Sequence, residues 1–128
     1  CIRDRFKEIR WGIWEGNTPT EIAEKYPDAL QRQRANPLEN VPQGAERPGD
    51  FRSRIVTAWQ DLLQNYAGQH VLLVAHAGVM RAVMCHALSI PTENMFQIHV
   101  DNARVTRFHV EQQGGQSFHR LMHHNGGI

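Results

Sequence analysis

The chain has 128 residues, the size of one domain, and its 41% apolar and 21% charged residues suit a packed core and exclude a disordered tail. Fourteen Lys+Arg against 13 Asp+Glu, a net charge of +1, give no basic surplus for nucleic acid and no acidic tail. Two cysteines, Cys1 and Cys85, exclude a disulfide framework and point to the cytoplasm, and no apolar run is long enough for a membrane span. Residues 1–128 are therefore read as a single domain with no nucleic-acid or membrane partner.

In chain order, residues 5–16 mix charge with Phe6, Trp11 and Trp14 and read as an irregular, aromatic-anchored segment. Thr18 as N-cap, Pro19 at the first helical position and Glu21 three residues after the cap open a short helix that Pro27 stops near Tyr26. Residues 28–49, with three prolines and two glycines, read as loop with one helical turn around residues 30–34. Asp50 is placed as the cap of a helix running to about Ala67 and closed by Gly68. Ile55, Trp59, Leu62, Leu63 and Tyr66 form its apolar stripe.

The run Val71-Leu72-Leu73-Val74-Ala75 has the pattern of a strand buried on both faces. His76-Ala77-Gly78 makes a corner into a second helix over residues 79–88. Residues 91–94 open a short turn, residues 103–110 alternate as a strand, Gln112-Gln113-Gly114-Gly115 turns, and residues 117–122 return as a strand. Residues 123–127 read as a frayed tail. Helix, buried strand, tight turn and helix imply an α/β domain with its sheet covered by helices.

His76 is the sharpest candidate for chemistry. It stands where a buried strand meets a helix, the place where ligands collect in open α/β sheets. The opening amides of that helix, near Ala77 and Gly78, carry a partial positive charge suited to phosphate. Glu8 lies among bulky aromatic residues, a setting that favours a neutral carboxyl and hence a general acid. Taken alone it also reads as a solvated charge between Lys7 and Arg10, and Glu46 has the same two readings. Arg81 is within reach of a phosphate but suits a paired surface contact equally well. His119, His123 and His124 suggest a metal, yet the spacing of the first two needs a helix where the pattern is a strand. No metal and no cofactor are expected.

Together these segments resemble the histidine phosphatase superfamily, with its phosphoglycerate mutase-like fold. Glu8-Ile9-Arg10-Trp11-Gly12-Ile13-Trp14-Glu15-Gly16 is similar to the family segment in which a Glu precedes an aromatic-Gly and a Trp-Glu-Gly. Gly44-Ala45-Glu46, with Phe51 and Arg54, is similar to its Gly-Glu-Ser helix entry. Val74-Ala75-His76-Ala77-Gly78-Val79-Met80-Arg81 is similar to its second-histidine strand and turn. The resemblance implies a three-layer α/β/α fold and phosphoryl transfer through a phosphohistidine. It also implies roles: Glu8 protonates the leaving oxygen, His76 and the Ala77 amide hold the phosphoryl group, and Glu46 lines the pocket rim. The implied ligand is a small phosphorylated substrate.

The family hallmark, an Arg-His-Gly whose histidine is the nucleophile, does not occur in the 128 residues, nor does the Ser-Pro-Leu-type segment that follows it. The expectation is a C-terminal portion, incomplete at the N-terminus, inactive alone, and either self-associating or pairing with the missing segment. The connection of 34 positions from Gly12 to Glu46 and the Trp14-Glu15-Gly16 form set the resemblance on the phosphatase side, closest to the α-ribazole phosphatase type. Alternatives are phosphoglycerate mutase-type transfer, a descendant that binds phosphorylated ligands without turnover, and a scaffold without a site.

Overall fold

A computed structural model describes residues 4–127, and Cys1 lies outside them. The chain opens with a 3-10 turn at Asp4–Phe6 and another at Gly12–Trp14. Four helices follow: α1 (Pro19–Lys25), α2 (Ala29–Ala35), α3 (Pro48–Asn65) and α4 (Ala77–Ala87). A 3-10 segment, Thr92–Gln97, leads to strands β1 (Val105–Gln113) and β2 (Gln116–Gly126).

The start of α1 follows the local chemistry expected of it. The Glu21 amide donates to Thr18 Oγ1 at 3.3 Å and the Glu21 carboxylate accepts from the Thr18 amide at 2.7 Å, a complete capping box. The long helix α3 begins before Asp50, with Arg47 as N-cap and Pro48 at the first helical position. Proline fits there because its φ is pre-set and its missing N–H would have no intrahelical acceptor. Asp50 falls inside the first turn, where a carboxylate still suits the positive helix end. The helix ends at Asn65 with Tyr66 as C-cap, and Gly68, at φ +73°, belongs to the turn beyond.

Helices α3 and α4 build the core. Phe51, Ile55 and Ala58 on one stripe of α3 meet Val79, Ala82, Val83 and Cys85 on α4, with Phe6, Ile9 and Met95 closing the cluster. Each large apolar side chain fully buried here contributes on the order of 1.5–3 kcal/mol. Arg52 finishes the end of α4 by donating to the carbonyls of Cys85 at 3.2 Å and Ile90 at 2.9 Å, and to Thr92 Oγ1 at 2.8 Å. Those bonds satisfy carbonyls left over at a helix terminus.

Strands β1 and β2 form an antiparallel hairpin in which Gln113 pairs with Gln116. Gly114 and Gly115 span the two-residue turn with φ of +56° and +79°, the left-handed pair such a tight hairpin needs. Residues 123–127 are not the frayed tail expected. Strand β2 runs through Gly126, because His124 bonds Thr106 Oγ1 at 2.8 Å and the His99 carbonyl at 2.6 Å, and Asn125 Oδ1 accepts from the Asp101 amide at 3.0 Å.

Residues 71–75 also differ from expectation. No ladder pairs them among the described residues, and the described sheet has two strands, β1 and β2. Leu72 is 82% and Val74 86% exposed. An open groove of about 1220 Å³ has Val71, Leu72 and Leu73 on one side and β1 residues Arg107 to Gln113 on the other. An apolar run signals a strand buried on both faces, but burial needs neighbours that bond both its edges. The α/β class stands, while the covered three-layer sheet is not closed among the described residues.

The hairpin docks on α3 and α4 through aromatic contacts. Trp59 on α3 meets Phe108 edge-on at 6.2 Å, and its indole N–H donates to His119 Nε2 at 3.0 Å. The His86 ring on α4 stands edge-on to His119 at 5.5 Å. Burial pushes both imidazoles below the usual histidine range; Arg52 adds to this for His86, and His86 adds to it for His119. A depressed histidine pKa means the unfolded chain binds protons first, so this stability is full above the unfolded value and lost as pH falls below it. The unfolding midpoint therefore decreases on acidification from about pH 7 to pH 5. Replacing His119 with Phe flattens that dependence, and an equal pH dependence in the variant would contradict the assignment.

Candidate active site

Phe6 and Ile9, both buried in the core, anchor the segment between them and leave Glu8 half-buried. Its Oε1 accepts from the Ile9 amide at 2.9 Å and its Oε2 from the Gly78 amide at 3.0 Å. Gly78 is the second residue of α4, whose N-cap is His76 in an extended conformation (φ −115°, ψ 164°). The carboxylate is thus seated on the positive end of the helix that His76 opens. Glu8 and His76, 68 positions apart in sequence, are brought to one helix mouth.

Gly78 is glycine because of this contact. A Cβ there would lie 2.1 Å from Glu8 Oε1 and 2.9 Å from its Cδ, so any side chain takes the carboxylate's place. The His76 side chain makes no capping bond and the residue is exposed. Its carbonyl accepts from the Met80 amide at 3.0 Å and locks the first turn. Ala77 is the first helical residue, and its amide belongs to the opening set that has no acceptor within a helix. A carboxylate seated at a helix start that an exposed histidine opens offers groups that can hold an anion and exchange a proton with it.

The bulky aromatic residues near Glu8 in sequence do not form its wall. Phe6 is turned into the core, and Trp11 stacks with Trp14 at 6.1 Å and packs on Phe96 at 5.5 Å. Glu46, expected at the rim of a phosphate pocket, is paired with Arg54. Its two carboxylate oxygens accept from Arg54 Nε and Nη2, each at 2.9 Å. Arg81 Nε donates to the Ile98 carbonyl at 2.7 Å and ties α4 to the following segment. The C-terminal histidines do not converge: His119 meets Trp59, while His124 meets Thr106 and His99. Among the described residues no group of three or more His, Cys, Asp or Glu could hold a metal ion.

Two contributors have weak sequence signals. Gly78 reads as a corner residue, and only the folded contact shows that it makes room for a carboxylate. Arg54 follows Glu46 by eight positions, a spacing compatible with many surface pairs.

The family model described as "Histidine phosphatase superfamily (branch 1)" matches residues 1–122. A relative from Hydrogenobacter thermophilus named "Putative phosphoserine phosphatase 2" is 29% identical over 110 residues, covering 86% of this chain and 54% of the relative. The solved structure "Bacillus stearothermophilus YhfR" superposes with a TM-score of 0.80 at 28% identity, covering 98% of this chain and 60% of the other. The alpha-ribazole phosphatase from Shigella flexneri shares the fold, with a TM-score of 0.79 at 20% identity, over 99% of this chain and 62% of the other. The chain spans about half the length of the curated relatives it matches first, 54% and 52%. With the α/β fold, the ordered Glu8, Glu46 and His76 segments and the family match in agreement, the chain belongs to branch 1 of the histidine phosphatase superfamily, a family with phosphatase members.

Proposed function

We propose that this chain supplies the acid and phosphate-holding half of a cytoplasmic histidine phosphatase site that hydrolyses small phosphomonoesters. Glu8 protonates the leaving oxygen, and His76 with the Ala77 amide stabilises the phosphoryl group in transfer. The observation that carries this reading is the Glu8 carboxylate on the Gly78 amide, two residues from His76. The nucleophile comes from an Arg-His-Gly segment outside these 128 residues. That segment, or a second copy of the chain, supplies the strand that pairs in the groove between residues 71–73 and β1. Phosphoserine phosphatase names among the relatives support a small phosphorylated metabolite as substrate, and the fold shared with alpha-ribazole phosphatases supports the finer α-ribazole type. The second reading is a protein that binds phosphorylated ligands without turnover.

Orthovanadate is the probe that tests the site. Only a ligand of the folded state raises stability, so vanadate raises the melting temperature of the chain and His76→Ala removes the rise. An equal rise in His76→Ala, or none in either, contradicts the site. Turnover by the chain once it is joined to an Arg-His-Gly segment separates the enzyme from the binding protein.

A further inference from the structure

We propose that Arg54 and Glu46 are positioning residues for Glu8: together they bracket residues 7–10 and hold the Glu8 carboxylate on the Gly78 amide. The functional weight of this bracket rests on the phosphatase reading, whereas its geometry does not. Arg54 Nη1 donates to the carbonyls of Arg5 at 2.8 Å and Lys7 at 3.1 Å, and Lys7 directly precedes Glu8. The other edge of the same guanidinium clasps the Glu46 carboxylate through two bonds of 2.9 Å. The Glu46 amide then donates to the Arg10 carbonyl at 2.9 Å. One ring of contacts therefore runs from Lys7 through Arg54 and Glu46 to Arg10, with Glu8 inside it.

Both members of the pair are themselves well anchored. Arg54 belongs to α3 and its guanidinium lies over the ring of fully buried Phe51, 5.0 Å from the centroid. The Glu46 side chain is only 14% exposed, so solvent screens the pair weakly. Beyond Arg10 the same two segments stay joined by the Trp11–Ala45 bridge and by the Ile13 amide on the Gln43 carbonyl at 3.0 Å. Gly12 permits that approach at φ +56°, because a Cβ there would stand 2.1 Å from the Gln43 oxygen. With the backbone tied on both sides of Glu8, its side chain is left to reach α4. A lysine at position 54 carries a compact ammonium and cannot fork between a carboxylate and two carbonyls. Glutamine at position 46 keeps the shape but loses the charge that strengthens both bonds.

The amide resonance of Gly78 reports the contact directly, since its proton sits on a carboxylate and moves when that carboxylate is protonated. The experiment follows this resonance through the carboxylate range in the 128-residue chain, with Glu8→Gln setting the baseline. Arg54→Lys and Glu46→Gln are expected to lower the amplitude of the Gly78 titration by about half or more, as a charge-assisted bond is loosened. Ile55→Val, a mild change in the buried stripe of the same helix, is expected to leave it intact. Should Arg54→Lys fail to fold, Glu46→Gln carries the test by itself. Full amplitude in the bracket variants, or an equal loss in Ile55→Val, overturns the proposal. Lost amplitude in the bracket variants, together with a wild-type chain that binds no phosphate, supports the bracket and overturns the phosphatase reading.

Discussion

The 128-residue chain is expected to hydrolyse p-nitrophenyl phosphate at least about a thousandfold more slowly than a family phosphatase that carries an Arg-His-Gly segment, because catalytic groups that act as a unit fail together. In the proposed site Glu8 is the acid and His76, which opens a helix, is a charge stabiliser and not an in-line nucleophile. The open groove adds a second effect. Residues 71–73 and the outer edge of β1 have no ladder partner among the described residues, and with Leu72 82% exposed they invite association with another strand. The isolated chain should self-associate or unfold at low denaturant, and an added segment bearing Arg-His-Gly should restore both order and turnover. A phosphatase-like rate from residues 1–128 would contradict the first part. A monomeric, cooperative unfolding transition of ordinary stability would contradict the second.

Gly78→Ala is expected to separate folding from acid catalysis. The added methyl would meet the Glu8 carboxyl, the flexible end of a side chain, and no backbone atom is among its nearest contacts. Alanine is also the better helix former by about 1 kcal/mol, so the variant should unfold within about 1 kcal/mol of the parent. Glu8 must leave the helix mouth, however, and general acid assistance supplies about 10²–10⁴-fold in rate. In the chain joined to its nucleophile, kcat should fall by about that factor for alkyl phosphates and far less for p-nitrophenyl phosphate, whose leaving group needs no proton. Glu8→Gln should show the same leaving-group pattern. Equal losses on both substrates would show that Glu8 does not act on the leaving oxygen.

Much of this was legible in the sequence where the causes are local. The Thr18-Pro19-Glu21 start and the Gly114-Gly115 turn each encode their geometry within a few residues, whereas the buried stripe of α3 is Phe51, Ile55 and Ala58, with Trp59 and Leu62 packed on it and Tyr66 just beyond the helix. His76 at a helix entry was readable for the same reason. Residues 71–75 were not, because an apolar run reports a demand for burial and not whether partners meet it. The pairing of Glu46 with Arg54 was not legible either, because a carboxylate's partner on another element is a tertiary choice. The seating of Glu8 against Gly78, 70 positions away, appears only when α4 is packed on the N-terminal segment.

The central claim is that Glu8 and His76 define an anion site at the mouth of α4. Titration of the chain with inorganic phosphate, followed through backbone amide and histidine ring resonances, tests it most directly. Saturable shifts are expected at the His76 ring and at the Ala77 and Gly78 amides, the amide shifts being lost in His76→Ala. Shifts confined to the hairpin around His119 and Arg120, or no saturable shift at residues 76–78, would contradict it.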